Sequence, residues 1–353
     1  MLFGQRTAAQ RQGMTRENRK KARVTRKKCW ITLMAVAVIA GGLYAGSTLL
    51  ERSTTETQAR GEAQSQIGQR RQVTYDGQTY AERTGQTRLL LMGVDREDGT
   101  ERINARQGGQ ADFMLLMVID HEQREIKTLQ LERDTMTAVQ VLGVLGNPVG
   151  TKEMQLCLSH GYGLTEEASC ENTVTAVENL LEGAHISYYM AMDMSAISTL
   201  NDMLGGVTVT LEDDFSDIDT AMTQGATLTL HGEQAETFVR SRMSVGDGTN
   251  NARMSRQRVY MEAAAEQLRQ RLSENANFLG ELLDSLGDHV TMNIKRGKLL
   301  NEANRAYKYE RGPVETLDGS YSLGADGYVE FHPAEGAAVQ WVLQTLYEPV
   351  TDK

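Results

Sequence analysis

The chain has few of the residues that hold small or metal-built proteins together. It has three cysteines and six histidines in 353 positions. They form no Cys-x-x-Cys pair and no His-rich spacing, which argues against a zinc site. Four prolines leave the apolar segments almost uninterrupted, and at 40% hydrophobic content there is enough to build a sizeable core. No internal repeat is visible, and strands and helices do not alternate in the regular rhythm of a doubly wound parallel sheet. Trp30 to Leu50 lacks charge altogether.

That uncharged run divides the chain. Residues 1–28 contain ten of the 37 Lys/Arg but only Glu17 of the 47 Asp/Glu, so the remainder holds 27 bases against 46 acids. A helix of 21 residues spans about 31 Å, the thickness of a bilayer's apolar layer. Ten cations on its N-terminal side hold that end in the cytoplasm. A cleaved signal peptide would have a shorter apolar stretch nearer the start, and a membrane span explains the basic arm more simply than nucleic acid does. The expected organisation is therefore a basic cytoplasmic tail (1–29), a single transmembrane helix (30–50), a flexible polar stalk (51–86) with a short strand near Val73–Tyr80, and a folded extracytoplasmic domain (87–350). Cys29 lies at the inner membrane boundary, as a free or lipidated thiol. Cys157 and Cys170 either close one small loop, worth about 3 kcal/mol, or stand as separate buried thiols.

Within the folded part, Arg88–Val94 and Phe113–Ile119 are continuous apolar runs of the kind that form strands buried on both faces. Ile126, Leu129 and Leu131 suggest a third strand after a polar turn, with Arg133 on the same side as Leu129 and Leu131 by alternation. If the three form an antiparallel meander, Asp95, Asp112 and Arg133 emerge at one edge of the sheet. Asn172 is expected to cap a helix whose Val174, Val177, Leu180 and Leu181 share a face, with Gly183 as its stop. Ile197–Leu204 repeats that logic before Gly205-Gly206, and Val207–Leu211 alternates as a strand. Ala235–Arg242 reads as a further strand carrying Arg240 and Arg242 on one side. A helix from Arg253 to about Leu272 puts Arg253, Arg256 and Gln257 within one turn. The tail adds a helix from Phe278, a Tyr/Gly-rich segment and a last helix near Ala334–Tyr347.

Clustered arginines imply a polyanion. At an effective dielectric near 20, like charges about 4 Å apart repel by roughly 4 kcal/mol, and two nearby acids suggest a divalent cation bridging to the anion. A pyrophosphate site fits these requirements. Taken singly the residues say less: an aspartate at a strand end usually forms a turn, Arg240 and Arg242 could line a solvated face, and Asp134 could simply pair with an arginine. The methionines (Met114, Met117, Met190, Met192, Met194) read as core, although flexible apolar side chains also suit a lipid channel.

Several segments together resemble the LytR-CpsA-Psr family. They are Leu90-Leu91-Met92-Gly93-Val94-Asp95, Ala111-Asp112-Phe113-Met114, Glu132-Arg133-Asp134-Thr135, Gly232-Glu233-Gln234-Ala235, Val239-Arg240-Ser241-Arg242 and Arg253 with Arg256-Gln257. They occur in the family's order over roughly residues 85–350, behind the expected anchor. The resemblance implies an α/β fold, α-β-α with a mixed central sheet flanked by helices and a lipid chain in an apolar channel. It also implies an extracytoplasmic phosphotransferase of the cell membrane. Such an enzyme moves a glycopolymer, such as teichoic acid or capsular polysaccharide, from a polyprenyl-pyrophosphate carrier to a peptidoglycan hydroxyl, with residual pyrophosphatase activity. Carried over position by position, Asp95 and Asp112 match the magnesium (or manganese) aspartates. Arg133, Arg240, Arg242 and Arg253 match the pyrophosphate-binding arginines, with Gln257 as a further polar group. Asp95, Arg133, Arg240 and Arg242 are the expected catalytic set. The partners implied are the lipid-linked glycopolymer, peptidoglycan and the membrane, without nucleic acid.

Three departures stand out. Glu132 replaces the family's proline before Arg133 and could turn outward by alternation. Asn250-Asn251 stands where an Asp-Phe pair is common. The segment between Asp95 and Asp112 is long, and Arg96 within it could also reach the pocket. A membrane-anchored protein that binds or senses polyprenyl-phosphate lipids without transferring them is the alternative function.

Overall fold

In a computed structural model of the chain, the residues described are 70–95, 106, 108–241, 245–248, 250–275, 277–306 and 309–350. The basic tail, the expected membrane span and most of the stalk lie outside them, as do Arg96 and Arg242. Among the described residues no helix is long and apolar enough to cross a membrane.

The domain begins with a hairpin of β1 (Gln72–Tyr75) and β2 (Gln78–Glu82). Its turn residues Asp76 and Gly77 both have positive φ, as a two-residue hairpin turn of the primed type requires. Three long strands follow: β3 (Gln86–Asp95), β4 (Gln110–Asp120) and β5 (Glu125–Leu131). A second hairpin, β6 (Met136–Leu142) and β7 (Pro148–Gln155), leads through a 3-10 turn at Leu156–Gly161 into α1 (Glu166–Leu180). Then come β8 (Tyr188–Asp193), α2 (Ile197–Leu204), the paired strands β9 (Val207–Thr210) and β10 (Thr227–Leu230), α3 (Glu233–Arg240) and the long α4 (Asn250–Glu274). The remainder is α5 (Phe278–Leu286), β11 (Val290–Met292), α6 (Arg296–Ala306), β12 (Glu310–Glu315), the hairpin β13 (Gly319–Leu323) with β14 (Val329–Pro333), α7 (Ala337–Leu346) and β15 (Tyr347–Pro349).

The central sheet runs β11-β8-β3-β4-β5-β12. It is mixed: β8 is parallel to β3 and β12 to β5, and the other neighbours are antiparallel. Its alternating side chains fill two cores. Leu90, Met92, Met114, Leu116 and Leu129 pack under α1 and α7, whereas Leu89, Leu91, Leu115, Met117 and Ile126 pack under α5 and α6. The second core continues into a cluster of α2, α3 and α4. Both faces are therefore covered, which is why the central strands are apolar without alternation. Each fully buried leucine contributes about 1.5–3 kcal/mol, and truncating Leu90 to alanine would cost about 2–5 kcal/mol.

Several expectations need correcting. Ala235–Arg242 is not a strand: its first six residues end α3, because Ala235, Phe238 and Val239 are buried at helical spacing after Gly232. Asn172 does not cap α1. Thr165 does, accepting the Ala168 amide at 3.2 Å, while Asn172 is buried mid-helix and donates to the Ser159 carbonyl at 2.7 Å. The stalk is folded over the part described, since β2 pairs with β15 and Ala81 is buried. No disulfide joins Cys157 and Cys170; both are buried thiols with separate partners.

Candidate functional site

The meander brings three polar groups to one end of the sheet. Asp95 closes β3, Asp112 is the third residue of β4, and Arg133 lies two residues beyond β5. A bulge sits here: Gly93 pairs with Phe113 and Val94 with Ala111, so Asp112 is the extra residue between them. Bulges re-aim a side chain in this way. Arg133 Nη1 then lies 2.7 Å from Asp112 Oδ1, and Arg253, in the first turns of α4, donates through Nη1 to Asp112 Oδ2 at 2.8 Å. Arg240, the last residue of α3, reaches Asp95 Oδ1 at 2.5 Å and also pairs with Glu236 one turn earlier.

These groups are tightly held. The side chains of Arg133, Asp112 and Arg253 are only 11%, 6% and 8% exposed, whereas Arg240 and Asp95 are each 38% exposed and face the opening. Arg133 also donates to Gln110 Oε1 at 2.7 Å and to Cys157 Sγ at 3.1 Å, and its Nε lies 3.3 Å from Asp134. Burial pushes the Cys157 thiol up to about 11 despite that guanidinium, so it stays protonated. Burial also raises the Asp95 carboxyl, with Arg240 pulling it down and Asp112 adding to the rise. The site thus has carboxylates close enough to oppose one another and arginines that hold them together.

Arginines turned onto carboxylates in a buried pocket are a charge-balanced resting arrangement. Splitting such a pair without replacing its partner is strongly unfavourable. A phosphate can replace it, because guanidinium forks match phosphate oxygens. Two features indicate room for a ligand: among the described residues Gln257 Oε1 is buried without a hydrogen bond, and so is Asp112 Oδ1, which meets Arg133 by proximity but not alignment. No cluster of three or more His, Cys, Asp or Glu side chains suited to a metal occurs among the described residues. Any cation held by Asp95 and Asp112 would complete its shell with water or with the anion itself.

Beside the site opens an apolar cleft with a cavity volume of about 150 Å3. Four of its lining residues, Gly93, Phe113, Val239 and Gln257, lie within four residues of Asp95, Asp112, Arg240 and Arg253. Deeper in, Met190, Met192, Met194, Leu268 and Leu282 continue the lining. At Gly93 a Cβ would come within 3.1 Å of Met194 Sδ and 3.2 Å of Phe113 Cβ, so glycine keeps the passage open there.

Of the expected site residues, Asp95, Asp112, Arg133, Arg240 and Arg253 converge, and Gln257 lies where the site meets the cleft. Arg256 does not join them: it binds Asp213 at 2.6 Å and the Phe238 and Ser241 carbonyls, fastening α4 to its neighbours. Glu132 does turn away from Arg133, and its Oε2 accepts the Tyr321 hydroxyl at 3.0 Å. Gln110, Cys157 and Glu236 also touch the arginines. Only the fold brings Gln110 and Cys157 near, whereas Glu236 stands at i,i+4 from Arg240, a spacing that becomes contact once the segment is known to be a helix.

Comparison with known proteins adds the following. The LytR_cpsA_psr family model matches residues 48–344. A protein of Halalkalibacterium halodurans named polyisoprenyl-teichoic acid–peptidoglycan teichoic acid transferase TagU is 26% identical over 59% of this chain and 60% of its own length. The Bacillus cereus protein of the same name is 24% identical over 87% of this chain and 92% of its own. Among solved structures, protein gbs0355 from Streptococcus agalactiae superposes with a TM-score of 0.59 at 21% identity, covering 74% of this chain and 87% of that one.

Proposed function

The chain belongs to the LytR-CpsA-Psr family, and from that premise we propose that it is a glycopolymer transferase: a membrane-anchored phosphotransferase that passes an anionic or capsular polymer from a polyprenyl-pyrophosphate carrier to a peptidoglycan hydroxyl. The observation that carries this reading is the junction of the arginine–aspartate site with the apolar cleft. In this reading a pyrophosphate takes its place among Arg133, Arg240 and Arg253, which meet Asp112 and Asp95 in the structure, and its isoprenoid chain enters the cleft lined by Gly93, Val239 and the methionines. The names of the two curated relatives agree with a polyisoprenyl-linked donor and a peptidoglycan acceptor. Trp30–Leu50 supplies the anchor, with ten cations holding its N-terminal side in the cytoplasm and the catalytic domain outside.

The chemistry follows from the side chains. An acceptor hydroxyl attacks the phosphorus that bears the polymer, and a phosphodiester forms between polymer and wall sugar. The bond to the bridging oxygen breaks, and the lipid leaves as a monophosphate. Arg133 and Arg253 are released from Asp112 to receive phosphate oxygens, each charge-assisted hydrogen bond worth about 1.5–3 kcal/mol. Arg240, at the open side, neutralises charge that develops on the leaving group. Asp95 is exposed enough to reach the hydroxyl, and its raised pKa makes it a better proton acceptor than an ordinary aspartate. Asp95 and Asp112 fit a magnesium ion held through one or two carboxylates and substrate oxygens; bound there, it would supply Lewis-acid stabilisation of the phosphates. Positioning and electrostatics account for most phosphoryl transfer.

The test uses the full chain in detergent with a polyprenyl-pyrophosphoryl sugar and a peptidoglycan oligomer. Magnesium-dependent release of lipid phosphate, with a glycan–peptidoglycan adduct, is expected. Tight lipid binding without turnover, across several sugars and acceptors, would replace the transferase with a lipid-binding or regulatory protein.

A further inference from the structure

A second cleft, of about 220 Å3, opens at the β5 side of the sheet and reaches the face of the apolar one through Gln130. Met190, Leu91, Leu115 and Gln130 are successive partners across β8, β3, β4 and β5, and so stand in one row on one face. Met190 and Leu91 line the apolar cleft, and Gln130 lines the second. In strand order, Asp112 on β4 lies between them. Helix α4 borders both clefts, with Gln257 and Met261 lining the first and Met254 and Arg258 the second. Successive helical residues point about 100° apart, which is how Arg253 serves the anion site while Met254 serves the cleft.

The two linings differ in chemistry. In the second cleft, Arg258 Nη1 donates to Gln130 Oε1 at 3.1 Å, and the Tyr321 hydroxyl donates to Glu132 at 3.0 Å. Tyr321 is 53% exposed, and its ring is supported by Phe331, with ring centroids 5.0 Å apart. A carboxylate, an amide and a guanidinium beside an exposed aromatic ring suit a ligand with many hydroxyls and an apolar C–H face. One acid and one base leave no net charge for a second polyanion, and the polar floor is unsuited to a lipid chain.

The cleft is also tied to the anion site. The Phe331 amide donates to the Asp134 carbonyl at 2.8 Å, and Gln155 joins Asp134 to the Val329 carbonyl. The hairpin β13–β14 therefore rests on the loop that carries Arg133. In an in-line displacement at phosphorus the incoming oxygen arrives opposite the leaving one. If the leaving lipid phosphate lies on the β8–β3 side, the incoming hydroxyl comes from the β5 side.

We propose that the cleft between Glu132, Arg258 and Tyr321 is the acceptor subsite, binding a stretch of the hexosamine glycan of peptidoglycan. This rests on the transferase reading above. The same chemistry could come from a sugar of the donor polymer, so the test separates the two sources.

Kinetics are measured on the full chain in detergent, varying donor and peptidoglycan glycan oligomer separately, for Tyr321→Ala, Arg258→Gln and Tyr321→Phe. The acceptor KM is expected to rise at least tenfold in Tyr321→Ala and severalfold in Arg258→Gln, while the donor KM moves less than twofold. Tyr321→Phe keeps the ring and recovers most of the loss. A rise in donor KM instead, or no change in either, overturns the proposal. A second arm omits the donor and follows binding of the glycan oligomer by ligand-observed NMR. Loss of binding in Tyr321→Ala upholds the subsite even if the protein transfers nothing, and undiminished binding overturns it even if transfer is robust.

Discussion

Strand β4 carries a buried aspartate near each end, and the two have opposite surroundings. Asp120 is 6% exposed and Asp112 7%. Asp120 accepts the amides of Glu122 and Gln123 at 3.0 and 2.8 Å and the Gln86 side chain at 3.0 Å. Its donors are neutral, two of them come from the turn it begins, and nothing further is required. Among the described residues, the side chain of Asp112 meets guanidinium groups, from Arg133 beyond the next strand and from Arg253 on α4. A carboxylate satisfied by its own turn stabilises a fold. One that gathers arginines from distant elements holds together parts of the chain that no local turn connects.

The sharpest way to break this contrast is to remove an arginine. Arg133→Ala should lower the transfer rate by about 10²–10³-fold, the usual loss for one preorganised charge-stabilising donor, and leave the fold nearly intact. Asp95→Ala should likewise abolish transfer. Single-turnover rates together with thermal melts would decide, and wild-type rates in either variant would remove these residues from the chemistry.

A matched pair sharpens it further. Asp112→Asn should lose magnesium activation and most of the transfer rate. Asp120→Asn should retain transfer and lose about 1 kcal/mol of stability, the typical net worth of a hydrogen bond. Magnesium titrations of the rate and urea denaturation of both variants would expose any exchange of roles.

The smallest effect concerns pH. His121, next to Asp120, lies 2.8 Å from Glu302 and within hydrogen-bonding distance of Thr87 and Tyr309. Burial lowers its pKa below 6.5, outweighing the pull of Glu302. Below 6.5 the unfolded chain binds a proton that the folded chain binds less readily, so this contribution to stability is lost as pH falls from 6.5 towards the folded value. His121→Gln should flatten that slope in urea midpoints measured between pH 5 and 7.

The sequence showed the three central strands plainly, because strands buried on both faces must be apolar throughout. It also put Arg253 and Gln257 one helical turn apart, which the first turns of α4 reproduce. It misread the segment around Arg240, where Thr237, Phe238 and Val239 favour strands while burial of Ala235, Phe238 and Val239 fixes a helix. Asn172 misled for a related reason: its side chain suits a cap, yet here it serves carbonyls of the neighbouring turn and strand. The hairpin β6–β7 was not anticipated, nor was Cys157 beside Arg133. Contacts between distant segments leave no local pattern to read.

The small sheet β1-β2-β15 joins the first described strands to the last, and Arg70 bonds Glu348 across it at 2.7 Å. Entry and exit of the chain are therefore fastened together, away from the chemistry. Tension arriving along the chain from residue 70 meets this sheet first, and Tyr347, Glu348 and Pro349 share it through their pairing with Glu82, Ala81 and Tyr80. The domain is in effect clasped at its base, so that a pull arriving at residue 70 loads the clasp before it reaches the arginines.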